Sequence, residues 1–230
     1  MRIAAVQRTT LLDYPGKIAC TVFLPGCNLR CPFCHNAGLV VPERQDPDTT
    51  TEEELMAFLN RRRGKLDGVC ITGGEPTIHK ELPELIRKIR SLGFLVKLDT
   101  NGSNPQMLKS LIEEKVLDYV AMDIKSSPDR YQEICGGIDI LSQARESVQI
   151  LKQGKVPYEF RTTVSHPWHD EQVMEEIGKW LQGADQYFLQ EFVDSGNLVG
   201  SGSTPLTEQE IKTLQRIAEK YIPNTRIRGI

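Results

Sequence analysis

The 230-residue chain is as informative for what it lacks as for what it holds. No stretch approaches the roughly 18 consecutive apolar residues of a membrane-spanning helix. The apolar start Met1-Arg2-Ile3-Ala4-Ala5-Val6 is broken by Gln7 and Arg8, too soon for a secretory h-region. Basic residues are not in excess: the formal net charge of -3 gives no electrostatic ground for a nucleic-acid or anionic-membrane partner. The one dense basic run, Arg61-Arg62-Arg63, reads as the cationic end of a helix. No Asp/His or Cys/His pair suggests an acid-base or nucleophilic machine, and no Gly-, Pro- or Ser-rich linker divides the chain. These absences predict one cytoplasmic domain, where cysteines stay reduced and clustered thiols read as metal ligands.

Three of the six cysteines are clustered, in Cys27-Asn28-Leu29-Arg30-Cys31-Pro32-Phe33-Cys34-His35-Asn36. Pro25, Gly26 and Pro32 bend the backbone so that three thiolates at C-x3-C-x2-C spacing converge on one centre. A disulfide framework would need an exported chain and leaves one cysteine over. Cys31-Pro-Phe-Cys-His35 matches the c-type haem pattern but gives Cys27 no role. Zinc held by the three thiolates and His35 has the right ligand count, although His35 directly follows Cys34. An iron-sulfur cubane with three cysteines leaves one iron open, and an open iron implies chemistry. Cys20 and Cys70 lie in apolar runs and read as core; Cys135, before Gly136-Gly137, reads as a bystander in a loop.

Around this loop the sequence repeats a strand-helix unit. Residues 1–16 read as an N-terminal flap or hairpin, residues 17–192 as a barrel core, and 193–230 as a loop, helix and small final strand. Strands are predicted at 18–24, 68–72, 95–98, 119–124, 158–164 and 187–192, with turn-rich loops at 39–50 and 195–203 and a final strand at 225–228. Capping boxes at Thr51/Glu54 and Thr207/Glu210 begin helices, Pro105 begins another, and Gly93 and Gly154 end two more. Six such units predict an α/β fold, a partial (β/α)6 TIM-like barrel with a parallel sheet.

Each unusual polar motif falls at the C-terminal end of a predicted strand, the face that carries chemistry in β/α barrels. The cysteines follow the first strand, Gly73-Gly74-Glu75-Pro76 the second and Asp99-Thr100-Asn101-Gly102 the third. Asp123 and Lys125 end the fourth, Arg161 lies in the fifth, and Gln190-Glu191 in the sixth. Singly, Gly73-Gly74 reads equally as a turn, while Asp99-Thr100-Asn101-Gly102 reads first as a turn and helix cap, Lys125 beside Asp123 as a surface pair and Arg161 as a structural ion-pair partner. Gly73 and Gly74 would let a ligand lie against backbone while Glu75 takes its ammonium group. His79, His166 and His169 read as solvated loop residues.

The cysteine loop and Gly-Gly-Glu-Pro together resemble the radical S-adenosylmethionine (SAM) superfamily. Leu12-Asp13-Tyr14-Pro15-Gly16-Lys17 with the cysteine loop is similar to its glycyl-radical-enzyme activases, and among these to the activating proteins of anaerobic ribonucleoside-triphosphate reductase. The resemblance implies that Cys27, Cys31 and Cys34 ligate a [4Fe-4S] cluster whose open iron takes the amino and carboxylate groups of SAM. It puts Phe33 and the backbone at His35 near the adenine, and gives Gly73, Gly74 and Glu75 the methionine amino group. Lys125 would contact the carboxylate, Arg161 fills a matching strand position, and Asp99 and Asp123 would bind a monovalent cation. Where related activases carry a ligand-contacting histidine in strand six, this chain has Gln190-Glu191-Phe192-Val193. The implied activity is removal of hydrogen from a glycine Cα of a partner glycyl-radical enzyme, the reductase large subunit first and a pyruvate formate-lyase-like enzyme second. The implied electron donor is of flavodoxin or ferredoxin type. The absence of a further cysteine-rich cluster region fits a protein substrate; a small-molecule radical enzyme of the deazapurine type and a non-catalytic zinc module are the other readings.

Overall fold

The inner strands lack the alternating pattern of a sheet with one wet face. Ala19–Leu24 and Gly68–Gly73 are buried almost throughout, because helices cover one side of the sheet and the barrel interior closes on the other. The computed structural model describes residues 1–41, 49–194 and 196–229. In chain order they form β1 (Arg2–Ile3), β2 (Ala5–Thr10), β3 (Ala19–Leu24), α1 (Ala37–Val40), β4 (Thr50–Thr51) and α2 (Glu52–Arg62). There follow β5 (Gly68–Gly73), α3 (Leu82–Ser91), β6 (Leu95–Thr100), α4 (Pro105–Glu113), β7 (Tyr119–Asp123), α5 (Tyr131–Ile134) and α6 (Leu141–Lys152). The chain ends with β8 (Tyr158–Val164), α7 (Glu171–Leu181), β9 (Tyr187–Glu191), α8 (Glu208–Glu219) and β10 (Thr225–Arg228).

One eight-stranded sheet runs β10-β9-β8-β7-β6-β5-β3-β2, with every neighbouring pair parallel except β2 and β3. It does not close: β10 and β2 remain its edges, giving the expected partial barrel. The predicted final strand extends the sheet beyond β9, in parallel register from Thr225 opposite Tyr187. The first sixteen residues supply the antiparallel edge strand β2 and a turn whose Tyr14, 3% exposed, packs against Gly68; a Cβ there would meet the Tyr14 ring at 2.9 Å.

The helices begin where their first residues can satisfy orphan N–H groups. Both capping boxes form, Thr51 with Glu54 and Thr207 with Glu210. Asn104 caps α4 ahead of Pro105 and Asp170 caps α7. The strand predicted to stop at Leu98 continues through Thr100, because Asp99 and Thr100 pair with Ala121 and Met122 of β7. The part of the predicted 39–50 loop from 42 to 48, with Pro42 and Pro47, lies outside the described residues, as does Ser195 at the start of the 195–203 loop. Among the described residues, no helix is long and apolar enough to cross a membrane.

Candidate cofactor site in the barrel mouth

The cysteine loop leaves β3 through Gly26, whose φ of +85° suits glycine and whose N–H donates to the Leu39 carbonyl at 2.7 Å. Its backbone is tied down on two further sides. Val199 and Gly200 donate to the carbonyls of Cys34 and Pro32, each at 3.0 Å, and Arg30 N–H donates to the Cys135 carbonyl at 3.2 Å. Cys27, Cys31 and Cys34 are free thiols. Burial pushes the Cys27 thiol up to about 11 and raises Cys34. Cys31 is raised by the neighbouring Cys135 thiol and then by burial. Neutral, clustered thiols of this kind, Cys31 buried and the other two half-buried, give up their protons when a metal centre binds.

All of the sequence-selected residues meet in one cavity of about 280 Å³: Cys27, Cys31, Phe33, Cys34, His35, Gly73, Gly74, Glu75, Asp99, Asp123, Lys125 and Arg161. Gln190 joins them, and so do Gln7, Asp13 and Asn101, to which the sequence assigned no contact with a ligand, and Thr21 and Thr163, which carry no motif. The two glycines line the cavity, but the structure gives a different reason for their lack of Cβ. A Cβ on Gly73 would meet the Leu24 carbonyl oxygen at 2.3 Å and one on Gly74 the Gly26 carbonyl oxygen at 1.8 Å, so it is the backbone of β3 and the cysteine loop that demands glycine.

Glu75 is 1% exposed and accepts four hydrogen bonds, all from neutral donors. Thr77 N–H (3.0 Å), Thr77 Oγ1 (2.6 Å) and Thr100 Oγ1 (2.8 Å) reach Oε1, and Asn101 N–H (2.6 Å) reaches Oε2. Oε1 is thereby saturated, while Oε2 keeps acceptor capacity toward the cavity. Desolvation raises its carboxyl above the ordinary range, and among the described residues no cation pairs with it. A buried carboxylate at a cavity wall, supported only by neutral donors, fits a ligand that brings a positive charge.

The other charges form a chain. Lys97 pairs with Asp99, Arg161 Nη1 donates to Asp99 Oδ2 at 3.0 Å, Arg161 Nε donates to Asp123 Oδ1 at 2.9 Å, and Lys125 donates to Asp123 Oδ2 at 3.1 Å. Burial opposes the charged forms, but Arg161 and Lys125 outweigh it and hold Asp123 well below the usual carboxylate range, while Asp123 keeps Lys125 protonated. Lys125 stands at the cavity as a cation able to meet a ligand carboxylate.

One residue behind the cavity contradicts its sequence reading, and Cys135 is placed more closely than the sequence showed. His169 is not solvated: it is 1% exposed, donates from Nε2 to the Lys125 carbonyl at 2.9 Å, accepts the Ser165 N–H on Nδ1 at 3.2 Å, and packs edge-on against Phe33 at 6.1 Å. Desolvation lowers it to about 4, so it is neutral. Cys135 is fully buried beside Cys31, brought there because Gly136 lets the chain press on Arg30; a Cβ would meet the Arg30 carbonyl oxygen at 2.7 Å. His79 is half-buried and bonds the Pro25 carbonyl at 2.8 Å, bracing the loop, and His166 faces Glu210 at the surface.

Fold and cavity together define an α/β-barrel enzyme with a thiol-rich cofactor seat at the C-terminal ends of its parallel strands. The Radical SAM superfamily profile matches residues 21–181. The chain belongs to the radical SAM superfamily, and its cofactors are a [4Fe-4S] cluster and SAM. It is 33% identical to a Methanocaldococcus jannaschii protein provisionally named a glycyl-radical enzyme activating enzyme, over 99% of this chain and 96% of the relative. It is also 32% identical to a GTP 3′,8-cyclase of Alkaliphilus metalliredigens over 64% of this chain, spanning about half (47%) of that protein. In structure it resembles a radical SAM methyltransferase of Sphaerobacter thermophilus at a TM-score of 0.71, with 16% identity, over 94% of this chain and 67% of the other.

Proposed function

We propose that this enzyme activates a glycyl-radical enzyme by taking a hydrogen atom from a glycine Cα of that partner, with anaerobic ribonucleoside-triphosphate reductase as the client. The observation that carries the reading is the end-to-end match: the relative named as an activating enzyme is covered over 96% of its length, whereas the cyclase has half of its length unmatched. A cytoplasmic setting, with a flavodoxin- or ferredoxin-type donor, accompanies it.

In this reading the cluster and SAM supply one-electron cleavage and a hydrogen-abstracting radical. Cys27, Cys31 and Cys34 hold the cluster. Glu75 receives the amino group and Lys125 the carboxylate, so the zwitterion is read by one buried anion and one half-buried cation set just beyond the ends of β5 and β7. Phe33 and the backbone at His35 flank the adenine. The residues fit the cofactor because, among the described residues, no cation meets Glu75 while Lys125 offers one on the cavity wall. Gln7 of the edge strand β2 and Gln190 of β9 border the same cavity, so the unclosed sheet leaves a side through which a glycine loop can approach.

Incubation of the reduced, reconstituted enzyme with SAM and the reductase large subunit should produce the doublet of a glycyl radical in the electron paramagnetic resonance spectrum. Cofactor cleavage without that doublet, but with a pyruvate formate-lyase-like client responding, would move the client; no response from any glycyl-radical protein, with a free metabolite consumed instead, would overturn the activase reading.

A further inference from the structure

Lys97 has no part in the reading above, yet it is among the largest fully buried side chains of the protein. It precedes Asp99 by two residues on β6 and so points to the same face of the strand. Its side chain is 2% exposed; its ammonium pairs with Asp99 Oδ1 and lies 3.7 Å from the Cys70 sulfur. Asp99 lines the cavity and Lys97 does not, so the lysine stands behind the carboxylate.

A monovalent cation between Asp99 and Asp123, expected from the resemblance, does not fit this arrangement. Asp99 is already paired with Lys97 and Arg161, and Asp123 with Arg161 and Lys125. Three protein cations are shared between these two carboxylates, so each is already doubly paired and neither offers a free oxygen charge to a further cation, while Glu75 and Asp13 of the same cavity stand outside the chain. We propose that the Lys97 ammonium is a tethered replacement for that ion: it holds Asp99, and through it Arg161 and Asp123, in the arrangement that presents Lys125 to the SAM carboxylate. The inference rests on the cavity being the seat of SAM. A tethered charge differs from a dissolved one in an observable way, because its occupancy does not depend on the salt in solution. Lys97 is a positioning residue, acting through Asp99 and touching no part of the cofactor.

The test is the affinity of the cluster-loaded enzyme for SAM, measured by titration calorimetry in potassium, sodium and choline chloride at equal ionic strength. The wild-type enzyme should vary by less than about twofold across the three salts, since no site is left for a free cation. Lys97→Ala should lose about tenfold or more in choline chloride and recover in potassium or methylammonium chloride, the vacated space admitting a free monocation. Lys97→Arg, which keeps the charge, should stay indifferent to the salt. A purely structural lysine would give no such rescue. A wild-type affinity that rises tenfold on adding potassium overturns the inference while leaving the seat of SAM intact, and this arm decides even if Lys97→Ala fails to fold. Wild-type affinity in Lys97→Ala, equal in every salt, also overturns it. A cluster-loaded wild-type enzyme that binds no SAM in any salt overturns the cavity reading and this inference together.

Discussion

Two buried charge assemblies, at different levels of the same barrel, behave in opposite ways. On the strands β7, β8 and β10, Glu159 is fully buried, takes both guanidinium nitrogens of Arg228 at 2.6 and 2.8 Å and the Tyr119 hydroxyl at 3.0 Å, and Arg228 lies 3.4 Å over the Phe188 ring. None of these groups lines the cavity, and the assembly is complete as it stands. In the mouth, Glu75 has no cationic partner among the described residues, while the Lys97-to-Lys125 chain carries more positive than negative charge. The first arrangement is closed and structural. The second is unfinished, and its two imbalances, a lone carboxylate and a surplus ammonium, are the mirror image of an amino acid.

Mutation should separate the two assemblies. Arg228→Met should cost about 3–4 kcal/mol of unfolding free energy in urea, by stranding Glu159, and leave SAM affinity unmoved. The lower end of the range for buried pairs is appropriate because the Arg228 side chain is 34% exposed. Next in size is a pH effect. His169 is held neutral with its folded pKa lowered to about 4, so its contribution is present above the unfolded value and is lost as pH falls from 6.5 toward 4. The loss is on the order of 3 kcal/mol, and His169→Gln should flatten that part of the stability curve.

Glu75→Gln reverses the pattern of Arg228→Met. It should weaken SAM roughly a hundredfold, about 2–3 kcal/mol, and cost the free protein no more than about 1–2 kcal/mol, because the Gln amide cannot accept the Asn101 N–H but removes the burden of a buried carboxylate without a cation. Its raised pKa adds a sign: wild-type SAM affinity should fall as pH drops through a value above the ordinary carboxylate range, and Glu75→Gln should not show that fall. The smallest effect belongs to the surface. Arg87 holds Glu114 bidentately, but both side chains are more than a third exposed, and Arg87→Ala should change stability by no more than about 0.5–1 kcal/mol in urea.

The sheet order and the gathering of Cys27, Glu75, Asp99, Asp123, Lys125 and Arg161 at strand ends were legible because a parallel β/α chain must bring those ends to one face. What sequence concealed depends on contacts distant along the chain. Gly73 and Gly74 look like a ligand cradle, but the carbonyls of Leu24 and Gly26 are what they make room for. His169 looks solvated until Lys125, Ser165 and Phe33 surround it. Cys135 reads as a loop bystander because nothing local shows Gly136 meeting Arg30. Lys97 was missed for another reason: the run Leu95-Val96-Lys97-Leu98 reads as a strand, and only the alternation that puts Lys97 on the face of Asp99 marks it.

The measurement that bears most directly on the account is anaerobic reconstitution with iron and sulfide, followed by reduction in the presence of SAM and assay of 5′-deoxyadenosine. A brown protein carrying one [4Fe-4S] cluster, cleavage of the cofactor, and loss of both in Cys31→Ala are expected. A colourless zinc protein, or a Cys31→Ala variant that still cleaves SAM, would contradict it.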